Sequence, residues 1–321
     1  MPNFTKFNSV HMNSITRVGG ASVNNLKDIN DIRMGESDDV PTYIPRGYIF
    51  GGKSSSESNG SNDTDEYTAS EDAWVEKTDM VEPRRKEFAA STISEKAYIY
   101  FGRYSTTQLK DCDEYDPDTW TSKTSGPNPA RYYHTAATIS DKGYCFGGYG
   151  QDDTDEYDPV GNSWSSKTNL LGGNRGMLSS AVVNDKAYIL DGDTLDKNTY
   201  EYDPDTWTQK TDMPNPGRQK AAGTAILSKV YIFGGDSYGA LDDTDEYNPS
   251  TNSWTSKTDL PGVDRYDLAA STISDKGYIY CGYGSSTYLQ DCAEYDSTGN
   301  SWTSKTSTPA PGRHQLAGTT I

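Results

Sequence analysis

Arg46-Gly47-Tyr48-Ile49-Phe50-Gly51-Gly52 is the stretch whose reading decides the fold, because the chain returns to it five times. The later copies begin at Lys96, Lys142, Lys186, Lys229 and Lys276, at spacings of 43 to 50 residues. A unit recurring at that period cannot bury its apolar face alone and must stack on its neighbours, which is the signature of a repeat architecture. One tryptophan follows each copy (Trp74, Trp120, Trp164, Trp207, Trp254 and Trp302), so there are six units.

Working outward, each unit reads as four short strands. A small-residue segment such as Leu268-Ala269-Ala270-Ser271-Thr272-Ile273 forms strand a, and a tight turn leads into strand b, the quoted phrase. A loop of variable length follows, then strand c ending in Glu-Tyr, a turn that often opens on Asp-Pro, and strand d opening on Trp. Four antiparallel strands in about 45 residues is the pattern of a propeller blade. Residues 313–321 are a strand a with no strand b behind it, and the phrase at Arg46 is a strand b with no strand a before it. Blade one is therefore predicted to be closed by the C-terminal strand, which leaves no open edge. The expected fold is an all-β, six-bladed β-propeller over residues 44–321.

Residues 1–43 do not match the repeat. Their apolar residues (Phe4, Phe7, Val10, Met12, Ile15) are irregularly spaced, a Gly19-Gly20 break follows, and a short helix is expected near residues 26–32. Such an arm has too little apolar surface for a core of its own. It is predicted to dock on its own propeller, on a sister copy in a homo-oligomer, or on another protein of an assembly.

Apolar residues are only 33% of the chain, but 24 Tyr and 6 Trp supply burial suited to short strands with one packed face. The formal charge of −18 disfavours nucleic acid and anionic membranes as partners. No apolar run is long enough to span a membrane, and the N-terminus has no secretion signal. Four Cys are too few for a disulfide framework, so reduced thiols are expected, with Cys281 and Cys292 the pair that could meet across a hairpin.

In an antiparallel blade the a–b and c–d turns share one end and the b–c and d–a loops the other. Variation gathers in the b–c loops, at 53–62, 103–112, 149–152, 193–199, 236–243 and 283–292. Tyr104, Tyr149, Tyr238, Tyr283 and Tyr288 on these loops suit sugar or protein contacts, or pack on one another as ordinary loop residues. The arm is expected to leave from the opposite end. Each unit also carries an Arg before strand a (Arg84, Arg131, Arg175, Arg218, Arg265, Arg313) and a Glu before the strand c Tyr (Glu66, Glu114, Glu156, Glu201, Glu246, Glu294). Recurrence in all six units points to structural ion pairs between the two sets, the alternative being an anion-binding ring of arginines. The Asp clusters at 63–66, 152–156 and 242–246 lack the spacing of a calcium loop and read as a solvated acidic rim. Three scattered histidines (His11, His134, His314) make no transition-metal site, and no catalytic motif is present. No catalytic residue, metal or other cofactor is expected.

The Tyr-Ile-Phe-Gly-Gly strand, the Glu-Tyr-Asp-Pro turn, the following Trp and the Pro-Arg or Gly-Arg entry resemble kelch repeats over residues 44–321. The resemblance implies a six-bladed propeller with C-terminal closure. It also implies several functions: copper oxidases with Tyr and His ligands, sialic-acid isomerases, and peptide-binding domains. Phe101-Gly102, Asp191-Gly192 and Cys281-Gly282 depart from the doubled glycine, which puts those three blade bends in question. The expected function is a non-enzymatic interaction module, anchored by residues 1–43 and displaying its b–c loops. Such an arrangement resembles proteins appended to virions, on a phage tail or capsid. A carbohydrate-binding adhesin is the alternative, and an enzyme the third reading.

Overall fold

The computed structural model describes residues 43–321, together with Arg17–Val18 and Ala21–Ser22, which pair antiparallel. The expected docking residues Phe4, Phe7, Val10, Met12 and Ile15, and the helix expected at 26–32, lie outside the described residues. The chain divides into two units, Met1–Ile44 and Pro45–Ile321. The second is all-β and consists of six four-stranded antiparallel sheets, each in the order a-b-c-d.

Blade three shows the plan, with strands Thr135–Ile139, Lys142–Gly148, Gln151–Asp158 and Ser163–Lys167. The inner strands of the other blades are Ala317–Thr320, Ala89–Ile93, Ser179–Val183, Ala222–Ile226 and Ala269–Ile273, and each touches the next around a closed circle. Their burial alternates along the strand, since period-2 geometry turns every second side chain to the axis. Those axial positions carry Ala, Ser, Thr, Val and Gly because six strands converge there. They leave a channel of about 370 Å³.

There is no single core. Six apolar clusters each straddle two neighbouring blades, as where Tyr98, Tyr100 and Phe101 of blade two meet Cys145 and Tyr157 of blade three, with Trp164 packed against them. Every Trp then donates its indole N–H to a backbone carbonyl of the preceding blade, Trp164 to Thr124 at 2.8 Å and Trp74 to Thr306 at 2.9 Å. The last of these joins blade one to blade six. Closure is completed by the C-terminal strand, which pairs Tyr48 with Thr319 and Phe50 with Ala317. Arg46 and Ile321 exchange two backbone hydrogen bonds, at 2.8 and 3.0 Å.

The three bends without a doubled glycine are kept. Phe101, Asp191 and Cys281 adopt φ of 52°, 56° and 59°, matching Gly51, Gly147 and Gly234 at 50°, 62° and 59°. At two of them the facing residue changes, while Asp191 keeps a Met opposite, Met213, and turns its carboxyl to accept from Ser179 and Ala221. A Cβ on Gly51 would strike Met80, whereas Phe101 faces Gly126 and Cys281 faces Thr308. All four cysteines are free and buried.

Candidate functional site

Two polar networks repeat around the ring, and they correct the pairing expected from sequence. Four of the buried arginines pair with the Asp that precedes the recurring Glu. Arg131 binds Asp155, Arg313 binds Asp65, and Arg218 reaches Asp245 at 2.7 Å. In blade two the buried residue is Arg85, bound to Asp113 at 2.6 Å, and not Arg84, which is half-exposed and pairs with Glu57. Arg265 takes Asp291 from the loop, at 2.9 Å. Five of the six arginines therefore carry an internal counter-ion, so they do not form a free anion-binding ring.

Adjacent residues of a strand point to opposite faces, so the Glu residues look away from these arginines. Glu156 accepts from Tyr144 at 2.6 Å and bridges Lys142 and Lys167 at 3.0 and 3.1 Å. Glu66, Glu114, Glu201, Glu246 and Glu294 each accept from the equivalent Tyr of strand b. Burial pushes the Glu114, Glu156, Glu201, Glu246 and Glu294 carboxyls up. The Tyr and Lys hydrogen bonds outweigh it and hold them below the ordinary carboxylate range.

What does not repeat lies on the axis, at the b–c loop end. Two residues after each buried arginine the chain takes a positive φ, at Glu87, Tyr133, Met177, Lys220, Asp267 and Gln315. Each donates its backbone N–H to the carbonyl of the equivalent residue one blade back, at 2.7 to 3.0 Å, and Glu87 donates to Gln315. Six hydrogen bonds thus form a closed circle around the axis. The circle uses only backbone, which leaves all six side chains free to differ.

Those side chains form a single-copy cluster over a cavity of about 80 Å³. Arg103 donates to Glu87 at 2.6 Å and lies 4.7 Å over the Tyr132 ring. The Lys220 ammonium stands 5.0 Å from the Tyr266 ring and 4.0 Å from Asp267, which also faces Nδ1 of His314 at 3.4 Å. Gln315 donates to Tyr133 at 2.6 Å, while its own carbonyl is buried without a partner among the described residues. Burial pushes the Glu87 carboxyl above its usual range against the pull of Arg103. Burial, reinforced by Asp267 and Glu87, raises the Tyr133 phenol. Such a cluster offers a charged pair, a held ammonium and an unmatched acceptor to one ligand or one protruding side chain.

The five loop tyrosines do not form one patch. Tyr104, Tyr149 and Tyr238 are exposed, at 39%, 52% and 96%, on blades two, three and five. Tyr149 stacks on Tyr132 with centroids 5.5 Å apart and so extends the axial cluster outward. Tyr283 and Tyr288 are half-buried, pack on each other at 5.3 Å and flank His314. Of the acidic clusters, Asp65, Asp155 and Asp245 are taken up by the arginine pairs and Asp152 accepts from Asn169. No group of three His, Cys, Asp or Glu among the described residues is placed to hold a metal ion. Among the described residues no helix is long and apolar enough to cross a membrane.

The axial cluster escaped sequence reading, although it could be found by counting two residues past each buried arginine. The doubled Arg84-Arg85 hides that count in blade two.

The Kelch motif family matches the chain over residues 218–261. The comparison with curated proteins finds no match. Among solved structures, that of YjhT is similar at 18% identity and a TM-score of 0.62, covering 72% of this chain and 86% of that one.

Proposed function

We propose that this six-bladed propeller, which carries a Kelch motif, is a non-enzymatic interaction module that receives a partner at its b–c loop end and is docked into a larger assembly by residues 1–43. The carrying observation is the division of variation between the two ends. The a–b and c–d turns are near copies in every blade. The other end gathers the loops of unequal length, the exposed Tyr104, Tyr149 and Tyr238, and the single-copy axial cluster. A surface that differs at every sixfold position suits one asymmetric partner, and half-exposed tyrosines supply contact area at low entropic cost. A particle such as a virion is one form such an assembly would take.

The test is a native mass measurement of the full chain beside a chain begun at residue 44. The full chain is expected in a larger assembly and the shortened one as a folded monomer. An unfolded shortened chain, or a full chain that stays monomeric with its natural partners present, would sink the proposal. A carbohydrate ligand is favoured by one observation, the flat Tyr132–Tyr149 stack beside Arg103 and Glu87. Binding on a glycan array that is lost in Tyr149→Ala would select that alternative.

A further inference from the structure

We propose that a cleft between blade one and the loop leading from blade six to the C-terminal strand binds a basic side chain of a protein partner. The proposal rests on the reading of the b–c loop end as the partner-receiving surface and names the chemistry received. A cavity of about 500 Å³ lies there, lined by the carboxylates Glu57, Asp63, Asp65 and Glu76 and by Pro309, Ala310 and Pro311. Its charges do not balance. Arg313 binds Oδ2 of Asp65 and stands 3.6 Å from Asp63, while Arg84 is shared between Glu57 and Glu82. Glu76 has no cation at ion-pair distance among the described residues. Beside it, burial and the charges of Asp63 and Glu76 push the Asp79 carboxyl up.

Glu76 makes the place particular to blade one. It lies directly across the strands from Asp65, where Asp113, Asp155 and Asp245 of the sibling blades face Ser122, Ser166 and Ser256. Ser166 and Ser256 donate to Oδ1 of their Asp at 3.0 and 2.8 Å. Blade one thus sets a carboxylate where its siblings set a hydroxyl, and like charges directly opposite destabilise a sheet. Asp65 is 3% exposed and lines the cavity, and its Oδ1, the oxygen that a serine would serve, has no donor among the described residues. Burial, with the charges of Asp63 and Glu76, pushes its carboxyl above the usual range against the pull of Arg313. A cation entering the cavity supplies what this pair lacks. The carboxylates are not placed to hold a metal ion. A guanidinium suits them better, because its planar fork reaches two carboxylates on neighbouring strands while Pro309, Ala310 and Pro311 cover its aliphatic stem.

The probe is the peptide acetyl-Gly-Arg-Gly-amide, titrated into the ¹⁵N-labelled full chain beside acetyl-Gly-Gln-Gly-amide and calcium chloride at matched ionic strength. Saturable shifts are expected with the arginine peptide alone, at the Asp65, Glu76 and Ala310 amides and not at Asp155 or Asp245 of the sibling blades. Glu76→Ser restores the sibling arrangement. It should weaken binding by about fivefold or more and melt no lower than the parent, since it removes a like-charge contact. Glu76→Gln, which keeps the length of the side chain and loses its charge, should weaken binding likewise. No saturable shift, equal shifts from the glutamine peptide or from calcium, or unchanged affinity in either variant would overturn the assignment. A failed titration of a chain that still enters its larger assembly would strike this cleft and leave the broader reading standing.

Discussion

At the scale of the residue, Arg84 and Arg85 show how much one step along the chain decides. Arg85 is buried against Asp113, whereas Arg84 is half-exposed beside Glu57. Removing one partner of a buried pair strands the other, so Arg85→Ala is expected to lower stability by about 3 to 5 kcal/mol. Arg84→Ala should change it by about 0.5 kcal/mol or less. Urea titration of both variants checks the contrast. Phe101 and Gly126 form a size-exchanged pair, since a Cβ on Gly126 would lie 2.4 Å from the Phe101 ring, while blade three sets Gly147 against Leu170. Phe101→Gly and Gly126→Leu should each cost about 2 kcal/mol or more alone, and the double variant should recover most of the loss. Simple additivity in the same titration would count against this coupling. Asp191 is wholly buried, and burial raises its pKa from 3.8 to about 8 against hydrogen bonds from Ser179 and Ala221 and the charge of Arg218. The folded chain then holds a proton that the unfolded chain releases, so this group's contribution to stability falls as pH rises from about 4 to about 8. In Asp191→Asn the melting temperature should vary less across that window than in the parent.

At the scale of the element, strand b and the outer Trp strand were legible because burial constrains their side chains directly. The Tyr-Ile-Phe phrase is buried at every position in all six blades. The pairing of arginine was not legible. Asp155 and Glu156 are neighbours of like charge, and only the direction each faces from the sheet separates them. The axial circle left no motif, because its work is done by backbone at positive φ and Glu, Tyr, Met, Lys, Asp and Gln serve equally. The blade bends at Phe101 and Cys281 were equally hidden, since the compensating residue lies some 25 positions away in sequence, as Gly126 does from Phe101. Strand closure makes a prediction of its own. Arg46 and Ile321 already bond as the two sides of an a–b turn. A permuted chain that joins 321 to 46 through a two-residue turn and opens at the exposed Tyr238 loop should fold to the same propeller. Loss of the β-type circular dichroism spectrum in that permutant would contradict the closure.

At the scale of the whole molecule, stability is shared among six interblade cores, and no blade has an interior of its own. Residues 44–321 are accordingly expected to unfold in one cooperative transition, with coincident fluorescence and circular dichroism curves. The acidic charge of −18 favours association with basic surfaces, with an on-rate that falls as salt rises. The circle of backbone bonds at the axis has a kinetic corollary. Freeing any one of those six N–H groups to solvent means parting two neighbouring blades, so deuterium should enter Glu87, Tyr133, Met177, Lys220, Asp267 and Gln315 together, at a rate set by the weakest seam. If that seam is the C-terminal clasp, loosening residues 313–321 would speed labelling on the far side of the ring as much as beside the clasp. The axis would then report the parting of any pair of blades.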